Sequence, residues 1–181
     1  MKASVVFMSA ALVCTAAAHA ANPAPAASPN LHDLMKKIVA VQAQVIWDVG
    51  NTAQDDKGNP DASKLKPADW AKIVTAGTQV KTVAQTLAKA DHVLAAAPGQ
   101  KIDGDGSSPD APTTKQVQGY VDKDPQVFRA FSQALSVSMD QIVAAAQTKN
   151  AQKLFDVSGN LDQICEDCHV KFWYPNQQVP R

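Results

Sequence analysis

Apolar residues recur at intervals of three and four along four segments of this chain, and this pattern constrains the fold more than any other feature. Such spacing places the apolar side chains on one face of an α-helix. Because no segment alternates apolar and polar residues over more than a few positions, strands are not expected. The sequence therefore predicts an all-α fold, and an up-and-down four-helix bundle is its simplest topology. The apolar stripes lie within residues 31–49, 70–94, 128–146 and 154–172.

Polar residues and proline mark the ends of the first two helices. Asn30 or Ser28 can cap the first helix, which is expected to end near Gly50. Pro67 suits the first turn of the second helix, because proline lacks the N–H group that a first turn leaves unpaired. We expect this second helix to run to Ala97, where a Pro-Gly pair follows.

Similar signals mark the second half of the chain. A short helical turn is expected at residues 114–122. Asp124 and Pro125 then suit the N-cap and the first turn of the third helix. Asn150 can cap the fourth helix, and Pro175 is expected to end it.

The interior positions of the predicted helices are rich in alanine, and aromatic residues make up only 6% of the chain. Small side chains leave volume that a protein core normally fills. Either the helices pack closely, or a large apolar group that is not an amino acid fills the space. Gly77, inside the second helix, costs about 1 kcal/mol relative to alanine. It is interpreted as tolerated or as a point of close helix packing, and alternatively as a point where a flat ligand approaches.

The first 20 residues have the features of a secretory signal peptide, with Lys2 at the start, an apolar run from Val5 to Ala18 and small residues at the cleavage positions. Cleavage after Ala20 would leave 161 of the 181 residues, beginning with a flexible leader at residues 21–30. The remainder carries 16 basic and 17 acidic residues, so there is no excess of cations to bind the phosphates of a nucleic acid. No second apolar run has transmembrane length, and the mature protein is expected to be soluble.

The string Cys165-Glu166-Asp167-Cys168-His169 has the spacing of a haem-attachment motif. On a helix, the side chains of Cys165, Cys168 and His169 lie within about 100° of one another. Two thiols on one face can bond to the two vinyl groups at one edge of a porphyrin, and the adjacent imidazole can reach the iron. We therefore expect one covalent haem c, bound through Cys165 and Cys168, with His169 as the proximal iron ligand.

Three other interpretations of this motif remain open. A thioredoxin-like redox pair would lie at a helix N-terminus, where the dipole lowers the pKa of a thiol, whereas Cys165 follows about fourteen residues of helical pattern. A zinc site would need a fourth ligand, and only His32 and His92 remain as histidines. A disulfide within one helical turn would be strained.

Both ends of the predicted bundle resemble the cytochrome c′ family, also called the class II cytochromes c. The closing pattern is Ile-Cys-Glu-Asp-Cys-His-Val-Lys-Phe at residues 164–172, which includes the aromatic residue three positions after the histidine. The sequence Leu-His-Asp-Leu-Met-Lys at residues 31–36 looks like the family's opening helix, and Asp69-Trp70 is similar to the head of its second helix. The family usually places a basic residue after the closing aromatic, where this chain has Trp173.

The resemblance implies a haem-binding four-helix bundle over residues 31–175, followed by a C-terminal tail at residues 176–181. It also implies that the distal residue lies on the first helix, where six-coordinate relatives of cytochrome c′ use a methionine. Met35 is therefore expected as the distal iron ligand, with distal packing as the alternative, whereas Met139 is expected in the core. His32 is interpreted as a solvated residue at the helix start, and alternatively as an iron ligand.

The resemblance implies a periplasmic electron carrier that is not itself an enzyme and that docks with redox partner proteins. An iron bound by His169 alone would instead have an open side for nitric oxide or carbon monoxide. A zinc or interaction domain that happens to carry the motif is the third hypothesis. Family members are often dimers through their first two helices, so residues 31–49 could serve a homodimer interface. Four aromatic residues are expected either on the porphyrin or in an ordinary core: Trp47, Trp70, Phe172 and Trp173.

Overall fold

A computed structural model describes residues 27–175, and this part of the chain is helical, with two isolated β-bridges and no strand. The expected signal peptide, the leader up to residue 26 and the tail at residues 176–181 lie outside the described residues. The all-α prediction is thus confirmed for the described residues. The elements are α1 (Leu31–Leu34), a π-helical segment (Met35–Val39), α2 (Ala40–Thr52), a 3-10 turn (Ala62–Lys64), α3 (Pro67–Lys89), α4 (Thr114–Lys123), α5 (Pro125–Gln147) and α6 (Ala151–Phe172).

Predicted caps or prolines lie at the start of four of these helices, although the side chain of Asp124, at the N-cap of α5, makes no capping hydrogen bond. The Asn30 side chain accepts a hydrogen bond from the backbone N–H of Asp33 at 3.3 Å, so Asn30 rather than Ser28 caps α1. Asn150 caps α6 in the same way, accepting from the N–H of Lys153 at 2.8 Å. Prolines occupy the first turns of α3 and α5, as their missing N–H groups favour.

The long helices pack side by side in an arrangement compatible with a helical bundle. Helix α3 lies along α5, α5 also contacts α6, and α2 contacts both α3 and α6. The core between them contains side chains that are at most 1% exposed: Ile46, Ile73, Leu87, Met139, Ile142, Leu154 and Leu161. None of the helices within residues 27–175 has the length and apolar character to cross a membrane.

Gly77 lies at a point where α3 packs closely against α5. A Cβ atom at this position would lie 2.8 Å from Cγ2 of Val143, well inside van der Waals contact. The glycine faces the neighbouring helix, so close helix packing accounts for it. The alternative, a flat ligand approaching Gly77, has no support in this geometry.

Helix α3 ends at Lys89, eight residues before the predicted end at Ala97. The chain turns away because residues 93–96 pair with the start of α1. The N–H groups of Leu31 and His32 donate to the carbonyl oxygens of Leu94 and Ala95, at 2.8 and 3.0 Å. The first turn of a helix has no internal partner for such N–H groups, so this pairing satisfies them. The prediction to Ala97 was wrong because this tertiary pairing outweighs local helix propensity.

A second, smaller apolar cluster forms beneath the connection from α3 to α4. It contains Ala95, Ala96, Ile102 and Val117, and the partly buried Trp173 packs against it. The side-chain amide of Gln118 holds the connection in place, accepting from the N–H of Ala95 at 2.7 Å and donating to the carbonyl of Val93 at 3.0 Å. The connection therefore links the start of α1 to the end of α6. Helix α4 lies where a short helical turn was predicted.

Candidate functional site

The last turns of α6 bring Cys165, Cys168 and His169 to the wall of one cavity. This cavity has a volume of about 280 Å³. Cofactor pockets typically enclose about 300–1,000 Å³. The opposite walls are mostly apolar and include Leu87 of α3 and Leu135 of α5. The helices thus leave space unfilled beside the motif, and Ala40 and Ala43 are the two alanines that line it.

Met35 lines the same cavity, so the structure brings this predicted site residue together with the motif. It begins the π-helical segment, in which the N–H of Ala40 donates to the carbonyl of Met35, five residues earlier. Such π segments are rare and often occur at functional sites. Met139 instead lies fully buried in the bundle core, as expected.

A second and smaller cavity, of about 40 Å³, adjoins the first. Met35, Cys168 and His169 border both cavities, and Phe172 and Trp173 line the smaller one. Met35, Cys168 and His169 therefore each border free space in both cavities.

Both motif cysteines are free thiols in a weakly hydrated environment. Burial raises the pKa of Cys165 to about 11, with a further contribution from the charge of Asp162. Burial also raises the pKa of Cys168 to about 12, with Cys165 contributing. Reactive redox cysteines act as thiolates, and their surroundings lower the pKa. Neutral thiols at pH 7 do not fit a reactive redox pair, whereas a zinc ion would itself deprotonate the thiols that bind it.

His169 is exposed at the surface, yet the protein around it lowers its pKa. Desolvation is the main cause, and the nearby charge of Glu166 opposes it. The imidazole is therefore neutral at pH 7, which is the form that binds a metal ion. Within residues 27–175, no three histidine, cysteine or acidic side chains gather as a metal-binding cluster.

The aromatic residues after the motif surround His169. The ring centroids of Trp173 and Tyr174 each lie 6.2 Å from that of His169. The Tyr174 hydroxyl donates to Oε2 of Glu166 at 2.7 Å. Burial and the bond to Glu166 raise the pKa of Tyr174 to about 12, so the hydroxyl keeps its proton at neutral pH. The sequence pattern did not indicate the pairing of Tyr174 with Glu166, although Tyr174 lies only five residues after the motif.

The other predicted aromatic residues divide between cavity and core. Trp47 lines the larger cavity, and Phe172 and Trp173 line the smaller one. Phe172 is also a core residue, because its ring meets those of Phe128 and Phe131 edge-on. Trp70 is buried in the core and lines neither of these cavities.

The prediction of a solvated His32 was wrong. The side chain is only 8% exposed, and its ring nitrogens approach the Gln100 amide at 2.9 Å and the Asp103 carboxylate at 3.3 Å. The connection after α3 covers it, which the sequence pattern could not indicate. His32 lines neither of the two cavities beside His169, so it does not join the candidate site.

Ser132 is a cavity-lining residue that sequence analysis missed. Its hydroxyl donates to the carbonyl of Phe128 at 3.0 Å, so the serine presents little free polarity to the cavity. The signal was present in the sequence, since Ser132 lies four residues after Phe128 and three before Leu135 on the same helix face.

Comparison with models of known protein families, with curated proteins and with solved structures gave no match. The site must therefore be interpreted from its own chemistry. Two neutral thiols, a neutral imidazole and a thioether surround one apolar cavity, in positions given by α6 and the π segment. This donor set fits a covalently attached haem, whose ligands include imidazole and thioether groups.

Proposed function

We propose that this chain is an exported c-type cytochrome of the cytochrome c′ type, which carries electrons through one covalently bound haem. The observation that carries this proposal is the cavity shared by Cys165, Cys168, His169 and Met35. These residues come from opposite ends of the described chain, and their meeting at one apolar cavity supports a common role.

Each of these four residues has a stated role in the proposal. Cys165 and Cys168 would hold the haem through thioether bonds, each formed by addition of a thiol S–H across one vinyl group. His169 would be the proximal iron ligand, and Met35 the distal one. When bound, the haem supplies an iron that alternates between the ferric and ferrous states, and a methionine ligand raises its reduction potential.

The remaining cavity residues exclude water and orient the ligands. Trp47, Phe131 and Leu135 form apolar walls, and the Ser132 hydroxyl is directed to its own helix. A dry, low-dielectric surrounding is one of the features by which a protein adjusts the potential of a metal centre. The chain would then be an electron carrier in the periplasm that docks with redox partners, and not an enzyme by itself.

A second candidate function is a five-coordinate binder of nitric oxide or carbon monoxide. It is supported by the position of Met35 at the border of two cavities. A flexible side chain with free space beside it can crowd a binding position without occupying it. In this case only His169 would ligate the iron.

The visible spectrum of protein purified from a host that matures c-type cytochromes tests both functions. We expect a coloured protein that keeps its haem after denaturation and whose ferric form has the methionine–iron charge-transfer band. Met35→Leu should abolish this band and allow the reduced protein to bind carbon monoxide. Met139→Leu is the matched control, since it changes the other methionine of the described chain in the core, and it should leave the band intact.

The outcomes separate the hypotheses. A high-spin ferric spectrum without that band, together with rapid stoichiometric binding of carbon monoxide by the unmodified protein, favours the second candidate. A colourless protein with two titratable thiols contradicts both and returns the motif to its zinc, redox or structural interpretations.

A further inference from the structure

The chain folds back over the end of α6 immediately after the motif. The backbone N–H groups of Trp173 and Tyr174 both donate to the carbonyl oxygen of His169, at 2.8 and 3.0 Å. This turn places the two aromatic rings beside the imidazole and brings the Tyr174 hydroxyl to Glu166, within the motif itself. The turn thus connects Tyr174 to two residues of the motif, His169 and Glu166.

Trp173 anchors this turn to the rest of the fold. Its side chain packs against the small cluster beneath the connection from α3 to α4, which includes Ile102 and Val117. Lys171, two residues before it, forms an ion pair with Asp124 at 2.7 Å. The position of Tyr174 is therefore set by the fold and not only by its hydrogen bond.

The imidazole of His169 lacks other directional contacts. Within residues 27–175, neither of its ring nitrogens has a hydrogen-bond partner, and its ring contacts are those with Trp173 and Tyr174. Metal-ligating histidines generally have their rings oriented by surrounding groups, which also adjust the electronic character of the metal. In this chain, the rings of Trp173 and Tyr174 are the groups that lie beside the imidazole and restrict its orientation.

We propose that Tyr174 is a positioning residue for His169, through its ring beside the imidazole and through its hydrogen bond to Glu166, which lies three residues before His169 on α6. This inference rests on the proposed function, because it concerns His169 as an iron ligand. The Tyr174 hydroxyl donates to a carboxylate, and charge-assisted hydrogen bonds of this kind are stronger than neutral ones. The bond fixes the direction of the Glu166 side chain. It also offsets part of the carboxylate's negative charge, and so changes the electrostatic potential that the carboxylate would produce at the iron.

Two consequences follow from removing the hydroxyl. The Glu166 carboxylate loses the donor that offsets its charge, so the ferric state is favoured and the midpoint potential falls. The ring of Tyr174 also loses the hydrogen bond that fixes it beside the imidazole, so the orientation of the imidazole changes. The ring orientation is read from the g-values of the ferric protein in electron paramagnetic resonance, and neither measurement depends on electron-transfer activity.

The test uses Tyr174→Phe in the full haem-bearing protein, with Tyr120→Phe as the matched control. These are the two tyrosines of the chain, and Tyr120 lies on α4, packed against the main core. We expect Tyr174→Phe to shift the g-values and lower the midpoint potential, and Tyr120→Phe to change neither. Glu166→Gln should raise the potential, and because the glutamine carries no charge, adding Tyr174→Phe to it should shift the potential by less than Tyr174→Phe does alone.

Different failures have different meanings. A coloured protein in which Tyr174→Phe matches the wild type in g-values and potential overturns this inference and leaves the proposed function standing. A shift of equal size in the Glu166→Gln background overturns the route through Glu166. A colourless wild-type protein overturns the proposed function and this inference with it.

Discussion

Replacing Gly77 by alanine should destabilise the protein, although alanine is the better helix former. Removing a mid-helix glycine contributes about 1 kcal/mol in favour of folding. The new Cβ atom would lie 2.8 Å from Cγ2 of Val143, and this valine is β-branched, so its side chain cannot rotate away freely. Overpacking of this kind costs about 1–3 kcal/mol. The net result is a loss of about 0–2 kcal/mol.

Gly159 provides the matched control. It also lies inside a long helix, but a Cβ atom there would have no neighbour within 4 Å. Gly159→Ala should therefore stabilise the protein by about 1 kcal/mol. The two alanine variants should differ by about 1–3 kcal/mol, and each kcal/mol corresponds to about 2–4 °C in Tm for a chain of this size.

Guanidinium denaturation followed by far-ultraviolet circular dichroism measures this difference. The comparison is valid where the denaturant slopes of the variants agree. The double variant Gly77→Ala with Val143→Ala should recover part of the loss, giving a favourable coupling energy between the two positions. If Gly77→Ala stabilised the protein as much as Gly159→Ala, the close approach of α3 and α5 at this point would be refuted.

Two further predictions concern the packing of α6 and the connection that leads into α4. Phe172→Ala should lower the free energy of unfolding by about 3–5 kcal/mol, because it removes a buried ring whose centroid lies 5.4 and 6.1 Å from those of Phe128 and Phe131. Chemical denaturation measures this loss, and a value below about 1 kcal/mol would contradict the packing. Asp105→Asn should lower Tm at pH 7, and the difference from the wild type should shrink as the pH falls below about 4. Hydrogen bonds from Thr114 hold the pKa of Asp105 below its usual 3.8, so its stabilising contribution is present above about pH 4 and is lost as the pH falls through the lowered value; a Tm difference independent of pH would disprove this role.

The sequence contains enough information to predict the helical class and several helix starts. Caps and first-turn prolines act locally, so Pro67, Pro125 and Asn150 could be identified from their neighbours alone, whereas the sequence left both Asn30 and Ser28 as candidates for the cap of α1. The core position of Met139 also followed from spacing. These features depend on contacts within a few residues.

Features that depend on distant parts of the chain could not be predicted in this way. The end of α3 is set by pairing between residues 93–96 and the start of α1, about sixty residues away. The burial of His32 has the same origin, since Gln100 and Asp103 cover it. Local propensity carries no information about such pairing.

The candidate site shows the same division. The spacing of Cys165, Cys168 and His169 is local, so the motif could be recognised directly. The arrival of Met35 at the same cavity is a property of the folded chain, and the sequence suggested it only through a family resemblance. The proposed role of Tyr174 depends on both kinds of information. Glu166 lies only eight residues before it in the sequence, but the hydrogen bond between the two side chains forms only in the folded chain.

The π-helical segment gives the first helix a place where one residue can be lost without changing the site. A hydrogen bond spanning five residues lets this segment hold one residue more than an α-helix would between the same flanking turns. Deleting Lys36 would restore regular α-helical geometry and keep the register of the turns on either side, so Leu31 would still reach Leu94 and Met35 would still line the cavity. A one-residue deletion within α2 would instead rotate the residues before it by about 100°. A one-residue gap within the π segment of any related sequence therefore preserves the site geometry, whereas a gap in α2 changes it.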